Sequence, residues 1–133
     1  MTFMTSKYVL DSHAWIEYFR GTKSGEKVKS FLENHKCFTP MIVLAELSDK
    51  YTKEKHDFFE KDLEFIFSNS VILELSKEIA VNAGKIKNIV KQKYKNNFGL
   101  ADAIILASAR KIKAKTVTGD HHFKSLKNIE FLE

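Results

Sequence analysis

Four carboxylic acids in this 133-residue chain stand where their neighbours predict another kind of residue: Asp11, Glu46, Asp102 and Asp120. Asp11 directly ends the apolar segment KYVLD, and Asp120 follows the segment KTVT by two residues, in VTGDHHF. Taken singly, each has an ordinary explanation, because Asp commonly caps a helix and Gly-Asp commonly forms a turn. Their positions after two apolar segments still make both of them candidates for a shared site.

Glu46 and Asp102 interrupt the apolar faces of two predicted helices. Glu46 lies three and four residues after apolar residues of TPMIVLAEL, and Asp102 precedes apolar residues at the same spacing in GLADAIILASA. Residues at those spacings share a helical face, and a buried carboxylate is costly unless a cation or hydrogen-bond donors meet it. Glu46 could instead lie at the edge of its apolar stripe, paired with one of the 22 Lys and Arg residues.

A bound divalent cation would explain all four acids together. Carboxylate and water oxygens suit Mg²⁺, and Mn²⁺ accepts the same ligands. Because no cluster of Cys or His accompanies the acids, Mg²⁺ or Mn²⁺ is favoured over zinc. The sequence therefore predicts one or two such ions held by these four side chains.

Predicted strands and helices alternate along the chain. The short apolar strands are Lys7–Asp11, Cys37–Thr39, Val71–Leu75, Lys115–Thr118 and Asn128–Leu132. The predicted helices are one from Ser12 to Gly21, one capped by Ser24, one over Met41–Tyr51 opened by Pro40, and Lys55–Phe67, Ser76–Tyr94 and Leu100–Lys113. This order predicts an α/β domain with a parallel central sheet covered by helices on both faces. Ligands of such sheets bind beyond the carboxyl ends of the strands, and Asp11 and Asp120 would both lie at that edge.

The composition indicates one globular domain over residues 1–133. Hydrophobic residues make up 44% and charged residues 29%, which argues against disorder. A single Cys37 can form no internal disulfide, and the sequence shows neither a signal peptide nor a membrane-spanning run, so we expect a cytoplasmic protein without a membrane partner. The net charge of +5 favours RNA or DNA as a partner, although a basic surface can also serve solubility alone.

The order of four motifs resembles the PIN-domain ribonucleases, and most of all the VapC-type toxins of toxin–antitoxin pairs. The motifs are VLDS, AEL after Pro40, GLADAIILASA and VTGDHHF, and the resemblance extends from Tyr8 to about Phe131. It implies a three-layer α/β/α fold with a central parallel sheet of four to five short strands. It also implies that Asp11, Glu46, Asp102 and Asp120 are the catalytic, metal-binding acids, with Ser12 and Thr118 as supporting residues. Many relatives carry a further acid two positions after the last of these, where this chain has His122.

The resemblance implies a Mg²⁺- or Mn²⁺-dependent endoribonuclease, the toxin of a toxin–antitoxin pair. A metal-activated water would attack an RNA phosphodiester in line, leaving 5′-phosphate and 3′-hydroxyl ends. The implied partners are the RNA substrate, a cognate antitoxin that blocks the acidic pocket with a basic side chain, and a second copy of the chain. The helix predicted at Lys55–Phe67 could contribute to that homodimer, although its phenylalanines also fit a core.

Basic residues are the candidates for contact with RNA. Lys87, Lys91 and Lys95 align on one face of the long predicted helix, and Arg110 begins a second basic cluster. Either group could be an ordinary solvated surface. His121 and His122 flank the acids, but adjacent histidines in a loop are commonly just exposed.

Three other functions fit parts of the pattern. A non-catalytic module with the same fold would bind RNA or protein without metal, and a processing nuclease would cut RNA outside a toxin–antitoxin pair. A phospho-receiver domain also gathers acids around Mg²⁺, but it needs a phosphoacceptor after a middle strand. The third strand here ends in Glu74-Leu75-Ser76, with no Asp available.

Overall fold

The computed structural model describes residues 6–133, in which five short strands alternate with six helices. The strands are β1 (Lys7–Leu10), β2 (Lys36–Pro40), β3 (Val71–Leu73), β4 (Lys115–Thr118) and β5 (Ile129–Phe131). The helices are α1 (Ser12–Arg20), α2 (Lys23–Asn34), α3 (Met41–Lys53), α4 (Phe59–Asn69), α5 (Lys77–Tyr94) and α6 (Leu100–Lys111), and a 3₁₀ turn covers His121–Phe123. The first five residues, which the sequence analysis included in one domain, lie outside the described residues. That residues 1–133 form one domain stays a prediction.

All five strands are parallel and form one sheet in the order β3-β2-β1-β4-β5. The sequence prediction of an α/β fold with a parallel sheet of four to five strands is therefore confirmed. Chain order reverses between β1 and β4, and this is the switch point at which α/β sheets bind ligands. Leu10 at the end of β1 pairs with Val117, so the chain segments that follow β1 and β4 leave the sheet side by side.

Two buried apolar clusters connect the sheet with its helices. The larger cluster joins β1, β2 and β4 to α1–α4 and α6, with Trp15 fully buried in it. The second lies between α5 and α6 and includes Phe98 and Phe123, whose rings meet edge to face at 5.1 Å. No helix within residues 6–133 has both the length and the apolar character needed to cross a membrane.

The helix predicted over Met41–Tyr51 begins at Met41 as predicted, but the residue that caps α2 and the place of Pro40 need correction. Thr22, not Ser24, caps α2, because its hydroxyl accepts the Gly25 N–H at 3.0 Å. Pro40 is the last residue of β2 and α3 begins at Met41, since the extended backbone of Pro40 (ψ 142°) still belongs to the strand.

The helix predicted over Lys55–Phe67 begins later, at Phe59. α3 continues to Lys53, and Lys55 then adopts a left-handed backbone conformation (φ 54°) that turns the chain before α4. Of the predicted apolar stripe, Ile66 is buried, whereas Phe58 and Phe67 are exposed. Of the two alternatives left open for its phenylalanines, a core role therefore does not fit Phe58 and Phe67, which are free for other contacts within the described residues.

Candidate metal centre at the carboxyl edge of the sheet

Asp11 and Asp120 are placed by the two neighbouring strands at the switch point. Asp11 follows β1 directly, is 4% exposed, and caps α1 by accepting the Ala14 N–H at 2.8 Å. Asp120 follows β4 by two residues, and its own N–H donates to the Thr118 hydroxyl at 3.0 Å. Both carboxylates therefore lie at the carboxyl edge of the sheet, as the sequence predicted.

Glu46 and Asp102 reach the same edge from two helices. α3 continues directly from β2, so its first turns, which include Glu46, lie at the carboxyl end of that strand. α6 leads back into β4, so its start lies at the carboxyl edge, and there Asp102 accepts the Gly99 N–H at 2.9 Å. The four acids thus come from four separate segments of the chain.

The four carboxylates lie close enough together that neighbouring negative charge opposes the ionisation of Asp11, Glu46 and Asp102. Burial raises the pKa of Asp11 to about 7, and the charges of Glu46 and Asp120 add to that rise. Burial also raises the pKa of Glu46, to which Asp102 and Asp120 contribute. The pKa of Asp102 is raised by burial and by Asp120, against the lowering effect of the Gly99 N–H and of His122. Such mutual repulsion is the condition that a bound cation relieves.

The protein supplies little compensation for this charge. Glu46 Oε1 is buried and accepts no hydrogen bond from residues 6–133. Within the same range, no Lys or Arg forms a salt bridge with any of the four acids. A buried carboxylate left in this condition costs about 1–3 kcal/mol or more. An unpaired buried oxygen among three further carboxylates fits a divalent cation, and the donor set is one that Mg²⁺ or Mn²⁺ accepts.

His122 joins the acids, which the sequence analysis did not predict. One ligand atom each from Asp102, Asp120 and His122 lie within 4.8 Å of one another. The His121 ring instead packs against the Phe131 ring, with the two ring centroids 5.5 Å apart. The sequence feature that could have distinguished His122 from His121 is its position two residues after Asp120. That spacing puts both side chains on one side of the tight turn after β4.

The predicted supporting residues lie beside the acids. Thr118 is fully buried at the end of β4, and its hydroxyl lowers the pKa of Asp11. The Ser12 hydroxyl has the same effect on Glu46. Both hydroxyls therefore favour the ionised form of a neighbouring carboxylate, which is the form that binds metal.

The predicted basic residues divide between the two ends of the α5–α6 pair. A short connection joins the two helices, so the C-terminal end of α5, with Lys91 and the following Lys95, lies at the same end as Asp102. Lys95 is not part of the helical row, because it ends α5 in a left-handed conformation (φ 50°). Arg110 lies eight residues after Asp102 on α6, which is about 12 Å along the helix axis. It lines a separate cavity with Lys85 and Lys111.

Comparison with known proteins gives a family and a set of similar folds. A family model described as PIN domain matches residues 8–129. No curated protein sequence matches the chain. Among solved structures, VapBC2 from Rickettsia felis bound to a promoter DNA fragment is similar with a TM-score of 0.74 and 24% identity, covering 96% of this chain and 97% of that one.

Two further structures share the fold. A toxin–antitoxin complex from Klebsiella pneumoniae has a TM-score of 0.72 and 22% identity, with 95% of this chain and 98% of that chain covered. VapC20 from Mycobacterium tuberculosis, a toxin that cleaves the sarcin–ricin loop, has a TM-score of 0.71 and 14% identity, with coverage of 95% and 99%.

Proposed function

The chain belongs to the PIN-domain family, and from this premise we propose that it is a Mg²⁺- or Mn²⁺-dependent endoribonuclease, the toxin of a toxin–antitoxin pair. The observation that carries the proposal is the gathering of Asp11, Glu46, Asp102 and Asp120 at one sheet edge, with no Lys or Arg within residues 6–133 paired to them. A structural cluster would be expected to pair its buried acids, since unpaired buried charge destabilises a fold. These acids instead retain the capacity to bind metal.

The four acids would hold the ion, and Thr118 and Ser12 would keep Asp11 and Glu46 ionised. A divalent ion bound there supplies positive charge for the developing charge on the phosphoryl oxygens and lowers the pKa of a water. We propose that water attacks the phosphorus of an RNA phosphodiester in line with the 3′-oxygen. The new P–O bond forms as the P–O3′ bond breaks, and the products are a 5′-phosphate and a 3′-hydroxyl.

A polyanionic substrate has to approach an acidic site, so basic residues near it are needed. Lys91 and Lys95 are exposed at the end of the α5–α6 pair that carries Asp102, and Lys87 lies one turn before Lys91. We propose that these lysines bind RNA phosphates and that Arg110, at the far end of α6, contributes less. A cytoplasmic location is the expected one for such a substrate.

The proposed partner is a cognate antitoxin. The similar structure from K. pneumoniae is described as a toxin–antitoxin complex, and VapC20 as a toxin that cleaves the sarcin–ricin loop. We propose that the antitoxin places a basic side chain among the four acids, with which no Lys or Arg of residues 6–133 forms a salt bridge. A homodimer also belongs to the proposal, and two exposed side chains, Phe58 just before α4 and Phe67 near its end, offer apolar contact area for it.

The test is cleavage of an end-labelled RNA pool that includes tRNA, in Mg²⁺, Mn²⁺ or EDTA. Asp102→Asn should abolish cleavage, and Asp49→Asn is the matched control because that aspartate is 76% exposed on α3. Cleavage that persists in EDTA, or in the Asp102→Asn variant, would contradict the proposal. If folded, metal-loaded protein cuts no RNA but still binds it, a non-catalytic module replaces the nuclease. If the product of the neighbouring gene does not inhibit cleavage, a processing nuclease replaces the toxin.

A further inference from the structure

His122 has a ring nitrogen within 4.8 Å of ligand oxygens of both Asp102 and Asp120. Its ring Nδ1 lies 3.2 Å from Asp120 Oδ1, and its side chain is 37% exposed, so it faces both the acids and solvent. The same Asp120 oxygen accepts the His122 backbone N–H at 2.9 Å. The second oxygen of Asp120 is therefore the one left for another partner.

The turn that carries His122 is anchored on both sides. The next residue, Phe123, is fully buried against Phe98 in the loop before α6. The Asn96 side chain of that loop donates to the His122 carbonyl at 3.5 Å. These contacts tie the turn to the start of α6, which carries Asp102, so the three residues hold their mutual positions before any ligand arrives.

The three side chains lie near enough to one another to reach a single octahedral ion. Ligands about 2.1 Å from such an ion lie about 3.0 Å apart when adjacent and about 4.2 Å apart when opposite. One ligand atom from each of Asp102, Asp120 and His122 already lies within 4.8 Å of the others. A small side-chain movement would bring all three onto one ion, with Glu46 and its unpaired Oε1 as a further ligand from α3.

We propose that His122 is a metal ligand in this chain, so that the ion held with Asp102 and Asp120 has a nitrogen donor. This inference rests on the proposed metal-dependent function, and it adds which atoms bind the ion and which metal the site prefers. Imidazole suits first-row transition ions, whereas Mg²⁺ prefers oxygen ligands. The centre therefore selects Mn²⁺ over Mg²⁺ more strongly than four carboxylates alone would.

The competing role is a positioning one, in which His122 only orients Asp120 by a hydrogen bond. The two roles differ in what a spectrum of the bound ion contains. A ligand imidazole places a nitrogen nucleus next to the Mn²⁺ electron spin, and a residue one shell further out does not. Pulsed EPR of the Mn²⁺-loaded protein reads this directly, without any assay of cleavage.

The experiment compares wild type, His122→Asp and His122→Ala, with His121→Ala as the matched control, because that neighbouring ring packs on Phe131 instead. We expect coordinated-nitrogen modulation in wild type and in His121→Ala, and its loss in both His122 variants. Competition titrations should show the Mn²⁺/Mg²⁺ affinity ratio about tenfold lower in His122→Asp, which keeps a donor but makes it oxygen. Far-UV circular dichroism checks that each variant is folded.

The outcomes separate this inference from the proposed function. Mn²⁺ binding that requires Asp102 but shows no nitrogen signal in wild type, or an unchanged signal in His122→Ala, would overturn the ligand role and leave the nuclease proposal standing. Absence of Mn²⁺ binding to folded wild type would overturn both. Loss of the signal in the His122 variants alone would support both.

Discussion

Two groups of buried or partly buried polar side chains differ in whether the protein itself supplies their hydrogen-bond or charge partners. In the first group, Trp15 Nε1 donates to the Thr39 hydroxyl at 3.0 Å, Thr39 lies 2.8 Å from the Ser70 hydroxyl, and Ser70 donates to the Ile66 carbonyl at 2.8 Å. Because the Ser70 hydroxyl donates to that carbonyl, the Thr39 hydroxyl donates to Ser70. Every donor in this series of hydrogen bonds therefore has an acceptor. We call this group the hydroxyl network.

The second group is the acidic site formed by Asp11, Glu46, Asp102 and Asp120. There, Glu46 Oε1 is left without a partner among residues 6–133, and three of the carboxylates are driven towards their protonated forms. The hydroxyl network joins α1, β2 and the end of α4, so satisfying it stabilises the fold. In the acidic site the protein supplies hydrogen bonds to single carboxylates but no Lys or Arg salt bridge within residues 6–133, and the proposed metal ion would supply the missing positive charge. Substitutions should therefore have opposite effects in the two groups.

The largest effect is expected from Glu46→Gln. The substitution keeps the shape of the side chain and removes a charge, so the RNA cleavage rate should fall about 10³-fold, equivalent to about 4 kcal/mol of transition-state stabilisation. The free energy of unfolding in EDTA should stay the same or rise, because a repulsive buried charge is gone. Single-turnover cleavage and urea unfolding measure the two quantities. A large loss of unfolding free energy would show that Glu46, like the hydroxyl network, stabilises the fold, and would contradict the prediction.

The next largest expected effect is a dependence of the unfolding free energy on pH, caused by the acidic site. Since burial raises the folded-state pKa of Asp11 from 3.8 to about 7, folded protein binds more protons than unfolded protein between those values. Stability contributed by this group is therefore present at low pH and is lost as the pH rises from about 4 to 7, by up to about 4 kcal/mol.

The measurement for this prediction is urea unfolding in EDTA across that pH range, for wild type and Asp11→Asn. Asn also caps a helix, so the comparison isolates the ionisation. The wild type should lose stability relative to the variant as the pH rises, and Mn²⁺ should reverse the loss at pH 7 and above. If the difference in unfolding free energy between wild type and variant stays constant with pH, the pKa of Asp11 is not raised by folding, which would contradict the prediction.

A smaller effect of opposite sign is expected in the hydroxyl network. Thr39→Val keeps the volume but leaves the Trp15 indole N–H without its acceptor, which should cost about 1–3 kcal/mol of unfolding free energy. Mn²⁺ affinity, measured by calorimetry, should not change. A metal-affinity loss larger than threefold would mean that the two groups are coupled through β2 and α3.

The smallest effect concerns the basic residues at the two ends of the α5–α6 pair. In an Asp102→Asn background, which prevents cleavage, Lys91→Ala should reduce the slope of log affinity for RNA against log salt by about 1. Arg110→Ala, the matched change at the far end of α6, should leave that slope unchanged. If both variants reduce the slope equally, the RNA contacts both ends of the α5–α6 pair, which would contradict the prediction.

The sequence was sufficient for the elements and residues that depend on local pattern. Strand β4 has the predicted bounds, β1 ends one residue before the predicted Asp11, and the two acids at interrupted helical faces come to the edge of the sheet. Each of these follows from apolar periodicity and from the rule that parallel strands share a carboxyl edge.

What depends on tertiary packing could not be read from the sequence. The start of α4 is set by the left-handed turn at Lys55, which no local preference indicated. Phe58 and Phe67 follow the helical spacing of a core, but α4 turns only Ile66 fully inward. His122 joins the acids because Phe123 anchors its turn on Phe98, a contact between segments 25 residues apart, counted from 98 to 123.

The most direct test of the claim that the acidic site is built for a cation is thermal unfolding of wild type and Asp102→Asn at pH 8, in EDTA and in Mn²⁺. We expect wild type to be no more stable than the variant in EDTA, and to gain about 2.7 kcal/mol at a Mn²⁺ concentration one hundred times the dissociation constant. The variant should gain far less. Wild type that is unaffected by Mn²⁺, and clearly more stable than Asp102→Asn without it, would show that the four acids stabilise the fold by themselves and would contradict the account.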